Sequence, residues 1–415
     1  MSPHWPILDS PRRAMPDLSL SSPPGFLAGS PCPNSSERTS DAFFRDVQLC
    51  PDGSCLLATA EDRSLSLFPL TDEQVAPEPS TSSATLSPVW THSPPDSLIS
   101  SAWYPGASSA DPAMFTFAVG VKDHPVHLLD GNDRRVRASY PIVDHTERFV
   151  APHSMAFSPD GSRLCCGFEN AFEIFDVSQP GAEGYRLHTT PTRSSRQGQK
   201  GIISSLAFSP PDSSSNSLLA AGSFSGSVGL YDISSPTPLT HLLQPSQHGG
   251  VTKLLFHPLS PHLLFVASRQ STHLDVWDLR NTSRTSSSGK LSRKGRTNQR
   301  LGFDIDPSGT WLAAGDQDGN LSVFSAQPLP DQLEPVTTFS LSSEPISTAL
   351  FHPFALLLIT TSGARKFGGA KRARRDTASS SESDSSDEED GANAGAQDDG
   401  LSVAERNSLE IWRLS

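Results

Sequence analysis

Residues 155–161 read Met-Ala-Phe-Ser-Pro-Asp-Gly, a short apolar run that ends in a proline and a tight turn. Proline fixes its own φ and cannot donate to a strand ladder, and glycine accepts the positive φ that a sharp reversal needs. Comparable runs end at six other prolines, namely Pro51, Pro105, Pro210, Pro258, Pro307 and Pro353. Neighbouring prolines in this series are 54, 54, 51, 48, 49 and 46 residues apart. A repeat of this length, built from short strands, predicts a propeller with one blade per repeat.

Each proline turn is followed by a second apolar strand, a polar turn and a third strand that often ends in an aromatic residue. The third strands of the fourth and fifth repeats end in Tyr231-Asp232 and Trp277-Asp278, which is typical of WD repeats. No long stretch of helical periodicity competes with these short strands, so the chain is all-β in character. We therefore predict a seven-bladed WD40 β-propeller over residues 41–415, with a sandwich of paired sheets as the alternative fold.

The seventh repeat reaches the last residues of the sequence with its third strand, residues 411–414, and so lacks an outer strand. An open strand edge is prone to unwanted pairing. We expect a segment within residues 18–46 to supply the missing strand and to close the ring. Residues 1–40 contain eight prolines and many serines, and apart from such a strand we predict a disordered tail.

A low-complexity insertion, residues 363–407, separates the second and third strands of the seventh repeat. Ten acids and no Lys or Arg lie in residues 376–405, and without these ten acids the net charge of −13 becomes −3. We predict that the insertion loops out of an intact blade as a disordered excursion. We also expect it to lie apart from the basic loops of the propeller.

The two halves of the insertion differ in chemistry. The first half carries a compact basic cluster of the kind that nuclear import receptors bind, made of Lys371, Arg372, Arg374 and Arg375. In the serine-rich acidic half, Ser383 and Ser386 precede acids, a context suited to phosphorylation by acidophilic kinases. A solvated, charge-balanced loop is the alternative interpretation.

Basic residues also cluster between repeats. Seven Lys or Arg residues and no acid lie between Arg280 and Arg300, and a weaker stretch runs from Arg186 to Lys200. Clustered cations with flexible serines suit contacts to phosphates, which position a nucleic acid without reading its sequence. A disordered, solubilising loop is the equally open alternative.

Motifs for catalysis, metal binding and membrane insertion are missing from the sequence. The five cysteines show no Cys-x-x-Cys or histidine spacing, and no apolar run approaches the roughly 18 residues that cross a bilayer. Residues 316–320 resemble part of a calcium loop but lack its distal glutamate and are predicted to form a turn. No nucleophile elbow or phosphate loop occurs. We therefore expect no enzyme, no metal, no cofactor and no membrane association.

Several runs are more specific than a WD repeat. They are residues 153–168, 197–210 and 297–309, together with residues 46–54 and 124–129. The second contains Gln-Gly-Gln-Lys-Gly-Ile-Ile-Ser and the third Thr-Asn-Gln-Arg. These runs resemble the telomerase Cajal body protein family of WD-repeat proteins, and the chain is identified as a fungal-type member over residues 43–414.

The resemblance implies a non-catalytic, nuclear RNA-binding scaffold that acts as a monomeric propeller. Members of the family recognise a short loop element in small Cajal body RNAs and, in animals, in telomerase RNA, and they direct these particles to Cajal bodies. Fungal relatives are linked to spliceosomal RNA and splicing. The implied partners are small nuclear or small Cajal body RNAs, their ribonucleoprotein proteins and telomerase, in the Cajal body or nucleoplasm. A protein-only adaptor, whose loops hold a peptide, is the alternative.

On this resemblance we expect RNA contacts from the connections between blades. The candidate residues are Arg196, Lys200, His248, Arg269, Arg296 and Arg300. Amides in the same runs, Gln197, Gln199, Asn298 and Gln299, either contact RNA or tie the connections to the blades. Single-stranded bases are usually recognised by stacking and edge hydrogen bonds beside phosphate contacts.

Overall fold

The computed structural model describes residues 23–32, 42–75, 84–192, 194–195, 197–211, 218–235, 238–245, 249–281, 287–327, 334–364 and 407–414. The predicted disorder of the tail and of the insertion concerns residues outside these ranges. The basic cluster of residues 371–375 and the serines Ser383 and Ser386 also lie outside them.

The described residues form short strands almost throughout. In the first half the strands are β1 (Gly25–Pro31), β2 (Phe44–Leu49), β3 (Cys55–Ala60), β4 (Leu65–Pro69), β5 (Ala84–Thr85), β6 (Trp90–His92), β7 (Leu98–Trp103), β8 (Thr116–Val121), β9 (Val126–Asp130), β10 (Val136–Tyr140), β11 (Ser154–Phe157), β12 (Arg163–Phe168), β13 (Ala171–Asp176) and β14 (Tyr185–His188). In the second half they are β15 (Ile203–Phe208), β16 (Leu218–Ser223), β17 (Val228–Asp232), β18 (Leu239–Leu243), β19 (Val251–Phe256), β20 (Leu263–Ser268), β21 (His273–Asp278), β22 (Gly289–Ser292), β23 (Phe303–Ile305), β24 (Trp311–Gly315), β25 (Asn320–Ser325), β26 (Thr337–Ser340), β27 (Ile346–Phe351), β28 (Leu357–Ser362) and β29 (Ser408–Arg413). A one-turn helix, α1 (Asp72–Val75), and a 3₁₀ turn, Leu279–Asn281, lie between strands.

Seven sheets result, and the predicted seven-bladed propeller is confirmed. Blade one contains β2, β3, β4 and β6, and blades two to six contain four consecutive strands each, from β7 to β26. Blade seven contains β27, β28 and β29, with β1 and β5 on its outer side. We call the four main strands of a blade a to d from the channel outward. Seven apolar clusters, one at each interface between neighbouring blades, form the core of the described part.

The strand order separates the connections onto two faces of the ring. Because neighbouring strands are antiparallel, the a–b proline turns and the c–d connections share one face, which we call the lower face. The b–c turns and the connections into strand a share the upper face. The insertion leaves blade seven at Gly363 and returns at Asn407, between strands b and c, so both of its ends lie on the upper face.

One of these ends touches a predicted RNA-contact segment. The side-chain amide of Gln299, in the connection into blade six, donates to the carbonyl oxygen of Gly363 at 2.6 Å. The expectation that the insertion lies apart from the basic loops is therefore wrong for the residue at which the insertion leaves blade seven. The sequence interval of more than sixty residues hides this proximity, because blades six and seven are neighbours in the ring.

The N-terminal part of the chain completes blade seven. Strand β1 pairs antiparallel with β29, from Gly25 opposite Arg413 to Pro31 opposite Ser408. The Phe26 ring packs edge-on against Trp412 at 5.5 Å between centroids. The strand sought within residues 18–46 therefore lies at Gly25–Pro31, and the propeller begins before the predicted boundary at residue 41.

A second segment covers the outer edge of β1. Strand β5, from the c–d connection of blade one, pairs parallel with β1, and the Leu86 amide donates to the Gly29 carbonyl at 2.9 Å. Strand β1 is thus paired with β29 along one edge and covered by β5 at Ala28 and Gly29 on the other. The sequence reveals no strand pattern at Ala84–Thr85, because two residues are too few to show periodicity.

Side-chain hydrogen bonds tie neighbouring blades beside the channel. Four serine hydroxyls near the start of strand a donate to main-chain carbonyls of the following blade: Ser100 to Pro152 at 2.6 Å, Ser154 to Ile203 at 2.8 Å, Ser204 to Val251 at 2.6 Å and Ser347 to Phe44 at 2.9 Å. The last bond joins blade seven to blade one and strengthens the ring closure.

Two buried histidines join proline turns on the lower face. Nε2 of His352, in blade seven, lies 2.9 Å from the carbonyl oxygen of Gly53 in blade one. His257 makes the equivalent contact with Gly309, from blade five to blade six, also at 2.9 Å. The other ring nitrogen of His352 accepts from the Phe354 amide at 3.1 Å. This pairing requires a neutral ring, since a protonated Nδ1 cannot accept.

These histidines should make the fold sensitive to mild acid. Burial lowers the pKa of both rings, although Asp52 and the Gly53 hydrogen bond oppose this for His352, and Asp306 and the Gly309 bond oppose it for His257. A histidine whose folded-state pKa is depressed contributes stability that is present above its unfolded pKa, about 6.5, and is lost as the pH falls through the folded value.

We expect urea unfolding to show a lower free energy of unfolding at pH 5.5 than at pH 7.5. The double variant His257→Gln/His352→Gln should lose about 2 kcal/mol at pH 7.5 and show a weaker pH dependence. A wild-type pH slope in this variant would contradict the assignment.

Candidate nucleic-acid interface at the channel mouth

The central channel contains a cavity of about 390 Å³, lined by the inner strands of all seven blades and including their first residues on the upper face. Seven residues before each blade's proline, six blades carry an apolar residue: Phe44, Leu98, Pro152, Ile203, Val251 and Ile346. Blade six carries Arg300 at this position. One residue later, blades one and three carry Arg45 and His153, and both line the same cavity. The three residues that differ in this way from the equivalent positions of most other blades, Arg45, His153 and Arg300, therefore all lie at the channel mouth.

Arg300 is half-buried among other charges. Burial lowers its pKa; the neighbouring Asp46 carboxylate opposes this shift, and the charges of Arg45 and Arg269 add to it. Within the described part of the chain, the Arg300 guanidinium forms no hydrogen bond. A guanidinium presents five N–H donors, so this side chain retains the capacity to bind an external acceptor.

Arg269 lies beside an aromatic ring on the same face. Its guanidinium carbon is 4.8 Å from the centroid of the Phe224 ring, an attractive cation–π distance. Its Nε is buried and has no hydrogen-bond partner among the described residues. Both side chains are half-buried. A planar cation stacked on an aromatic ring is a surface on which a nucleobase can stack.

Two glycines allow this arrangement. The Arg269 amide donates to the Gly250 carbonyl at 2.9 Å, in the connection into blade five. A Cβ on Gly249 would lie 1.8 Å from the Arg269 carbonyl oxygen, and one on Gly250 would lie 2.9 Å from the Phe224 carbonyl oxygen. Larger residues would separate the turns that carry Arg269 and Phe224.

His153 joins the cluster from blade three. Its ring lies edge-on to Phe224, with 6.5 Å between centroids. Burial, followed by the charge of Arg300, lowers the pKa of His153, so the ring is neutral at pH 7 and can act as donor or acceptor. Together Phe224, His153, Arg269 and Arg300 form what we call the channel-mouth cluster.

The run around Gln199 has a mainly structural role. The Gln199 amide is buried; it donates to the carbonyls of Ala221 and Ser227 at 2.7 and 3.1 Å and accepts from the Tyr231 hydroxyl at 2.9 Å. Of the two interpretations that the sequence left open for this residue, the structure favours the tie between connection and blade. Lys200 follows with an exposed side chain, while the hydroxyls of Ser223 and Ser225 fix its carbonyl next to Phe224.

Among the candidate RNA-contact residues, the structure brings Arg269 and Arg300 together and places Lys200 beside them. Arg296 is exposed on the upper face, in the connection into blade six. Arg196 and His248 lie outside the described residues.

The basic stretch from Arg280 to Arg300 is not one surface. Arg280 lies in the c–d connection on the lower face, paired with Asp278 at 2.7 Å. Arg293 is buried, and burial lowers its pKa to about 10; it donates to the Leu301 and Gly315 carbonyls at 3.2 and 3.4 Å. Strand β22 passes from one face to the other within this stretch, which is why a linear cluster of charge becomes dispersed.

Other cations of the two stretches already have acidic partners. Lys294 pairs with Asp318 at 2.8 Å. In the weaker stretch, Arg186 pairs with the buried Glu173 at 2.7 Å and packs over Phe168. These side chains stabilise their own blades, and the cations still able to meet a ligand are fewer than the sequence count indicates.

The sequence interpretation missed Phe224, His153 and Arg45. In the sequence, Phe224 belongs to one of the polar turns between the second and third strands of a repeat, and the composition of such a turn gives no functional signal. A position-by-position comparison of the seven repeats identifies Arg45 and His153, because each occupies a channel position that is uncharged in most blades. Only the fold reveals Phe224, through its contacts with Arg269 and His153.

Features of other functional classes are scarce in the described residues. No group of three or more His, Cys, Asp or Glu residues there is arranged to hold a metal ion. All five cysteines are buried and unpaired, and burial raises the pKa of Cys165 to about 12. None of the described helices has the length and apolar character needed to span a membrane.

Comparisons with known proteins agree with this architecture. Residues 293–325 match the model of the "WD domain, G-beta repeat" family. The chain is 36% identical to telomerase Cajal body protein 1 of Mus musculus, over 84% of the chain and 64% of that protein, and 35% identical to that of Homo sapiens, over 85% of the chain and 62% of that protein. It therefore spans less than two thirds of the length of these relatives. It is also 31% identical to "Guanine nucleotide-binding protein negative regulator 1" of Schizosaccharomyces pombe, over 67% of the chain and 69% of that protein. The chain belongs to the telomerase Cajal body protein family of WD-repeat propellers.

Proposed function

We propose that this propeller is a non-catalytic nuclear scaffold that binds single-stranded segments of small nuclear or small Cajal body RNA at its upper face. The observation that carries the proposal is the channel-mouth cluster, in which two half-buried guanidinium groups without hydrogen bonds to described residues lie beside an aromatic ring. Among the described residues, neither group has the ion-pair partner that a structural arginine usually has.

The chemistry of the cluster suits unpaired RNA better than a duplex. Bases of single-stranded loops can splay out and stack on aromatic rings or on guanidinium planes. Phosphates of the same strand can accept from the arginines and from the exposed Lys200 and Arg296. A rigid A-form duplex offers neither its base faces nor a convex element that fits a cavity of about 390 Å³.

The names of the relatives support a nuclear location and ribonucleoprotein partners. Two of the relatives are named for telomerase and Cajal bodies, so telomerase RNA is a candidate cargo beside small nuclear RNAs. The basic cluster Lys371, Arg372, Arg374 and Arg375 is proposed as the import signal. Ser383 and Ser386 are proposed as phosphorylation sites that add charge to the same insertion.

A second candidate function, a protein adaptor, has its own supporting observation. A cavity of about 410 Å³ beside blade three is lined by Val143, Phe168 and Ile202, with Asp144 and Glu169 among its polar residues. Val143 and the neighbouring Phe149 are exposed large apolar side chains. The lining also contains Arg186, His145 and His153, so such a groove suits a peptide with apolar residues flanked by polar ones, and it does not require RNA.

Crosslinking followed by RNA sequencing distinguishes the two functions. The tagged full chain is expressed in eukaryotic cells, irradiated and purified under denaturing conditions. We expect small nuclear RNAs to be enriched, to be lost in the double variant Arg269→Glu/Arg300→Glu, and to be retained in Arg280→Glu, which alters an exposed arginine on the lower face. If no RNA is enriched with the wild-type chain, the adaptor function takes precedence.

A further inference from the structure

The short segment that carries Arg300 is anchored on blade seven at both of its ends. Before Arg300, the side-chain amide of Gln299 donates to the carbonyl oxygen of Gly363 at 2.6 Å. After it, the main-chain amide of Gly302 donates to the carbonyl oxygen of Ser347 at 2.9 Å. Arg300 lies between these two anchors, so its main chain is held against blade seven although it belongs to the connection into blade six.

The acceptor of the Gln299 hydrogen bond is itself held in place. Gly363 is buried, and its amide donates to the carbonyl oxygen of Pro345 at 3.0 Å. Its φ of 147° is one that residues with a side chain rarely adopt. A Cβ at this position would lie 2.6 Å from the Cβ of Phe43 and 2.7 Å from Oδ1 of Asn407. Gly363 is therefore closely packed and gives Gln299 a fixed point of attachment.

Charge repulsion explains why Arg300 needs such anchors. Burial is the main cause of the lowered pKa of Arg300, and the Asp46 carboxylate opposes it. The charges of Arg45 and Arg269 add to the shift, because both repel Arg300. Arg45 is paired with Glu61 at 3.7 Å, so Arg269 is the neighbour whose repulsion a movement of Arg300 would relieve most. The two anchors on blade seven oppose this movement and keep both guanidinium groups at the channel mouth.

We propose that Gln299 is a positioning residue of the channel mouth, which holds Arg300 beside Arg269 through its bond to Gly363 and does not itself contact RNA. The inference rests on the proposed RNA-binding function and assigns one of the amides whose role the sequence left open. Donors that are fixed before the ligand arrives bind it more tightly than mobile ones, because no further ordering is needed on binding. The same bond joins the RNA site to the residue at which the insertion leaves blade seven.

The first measurement compares RNA binding by Gln299→Met and by the wild-type chain. Methionine keeps the length of the side chain, removes the amide donor and changes no charge. With a fluorescent 12-nucleotide uridine RNA, we expect Kd to increase about fivefold. The slope of log K against log salt should fall by up to about 0.7, the contribution of one phosphate contact. A neutral substitution changes this slope only by acting through a cation, which a direct contact between an amide and a base does not do.

A matched control uses the same substitution at another half-buried glutamine of the upper face. Gln317 lies in the b–c turn of blade six, and its side chain hydrogen-bonds Asp318. Gln317→Met should alter neither Kd nor the salt slope. If it reproduces the effect of Gln299→Met, the effect is not specific to the Arg300 segment and the positioning role is overturned.

A double-mutant cycle identifies the residue through which Gln299 acts. In an Arg300→Gln background, Gln299→Met should change Kd by less than about twofold, since independent effects add and effects that share one route do not. A full fivefold increase in that background, or an unchanged salt slope in Gln299→Met alone, would overturn the proposal and leave Gln299 as a direct RNA contact.

Hydrogen exchange in the absence of RNA tests the anchor itself. We expect the amides of residues 297–302 to exchange about fivefold faster in Gln299→Met, whereas the a–b turn of blade three, on the lower face, exchanges as in the wild-type chain. Equal exchange of residues 297–302 in both chains, or faster exchange in both regions of the variant, would overturn the positioning role. If the wild-type chain binds no RNA, the proposed function fails, which is a different result from equal binding by the wild-type chain and the variant. The exchange measurement then still accepts or rejects the anchor.

Discussion

Deletion of residues 1–32 is expected to lower the Tm of the chain by about 10 °C or more, whereas deletion of residues 1–22 leaves Tm within about 1 °C. The longer deletion removes β1, which pairs with β29 over its whole length and with β5 on its other edge. It also removes the buried side chains of Leu27 and Ala28 and uncovers Trp412. Burial of one leucine contributes about 1.5–3 kcal/mol, and each strand hydrogen bond adds about 1 kcal/mol.

The two deletions form a matched pair, because they differ only in residues 23–32. Differential scanning calorimetry at two scan rates measures Tm and reveals irreversible unfolding. An intermediate control, the full chain with Ala28→Asp, places a charge in the core between blades seven and one and should lower Tm by several degrees. Equal melting curves for both deletions would show that blade seven closes without β1.

Loss of single-stranded RNA binding is the second large effect that we expect. In fluorescence anisotropy with a 12-nucleotide uridine RNA, Phe224→Leu should raise Kd about tenfold or more, since stacking of one base on an aromatic ring contributes about 1–3 kcal/mol. Leucine keeps the apolar bulk of the turn and removes the flat face. The double variant Arg269→Gln/Arg300→Gln should raise Kd further, because it removes both guanidinium groups that make no hydrogen bond to a described residue.

The salt dependence of Kd separates stacking from phosphate contact. Each phosphate contact to a single strand contributes about 0.7 to the slope of log K against log salt, so the double arginine variant should lose about 1.4 of slope. Phe224→Leu should leave the slope unchanged, and Arg280→Gln should alter neither quantity. If all variants bind the RNA as the wild-type chain does, the RNA contacts another surface.

The repeat pattern was sufficient to predict the ring, but its closure was only partly predictable. The proline turns can be recognised by residue type, and the interval between neighbouring turns equals the length of one blade. The number of blades therefore follows from counting prolines such as Pro159 and Pro307. The closing strand could be confined to residues 18–46 because blade seven lacked a partner. Its register could not be predicted, since Phe26 and Trp412 meet only when the two ends of the propeller are brought together.

Only the charged residues of the candidate site could be predicted from the sequence. Arg269 and Arg300 were expected on the resemblance, and both belong to the channel-mouth cluster. Charge density alone misassigned Arg293, which is buried, and Lys294, which is paired with Asp318. A count of cations along the sequence does not show which of them are buried or on which face a connection lies. Comparison of equivalent repeat positions does show which residues lie at the channel.

The pairing of β1 with β29 has a consequence for synthesis of the protein in the cell. Pro31 and its partner Ser408 are 377 residues apart in the chain. At roughly 5 to 20 residues per second, β1 is made about 20 to 75 seconds before β29 exists. During that interval β1 can pair only with the two residues of β5, and its edge toward β29 stays open until translation is almost finished. Blade seven is therefore completed only when β1 and β29 meet, and a product truncated before β29 lacks this closure.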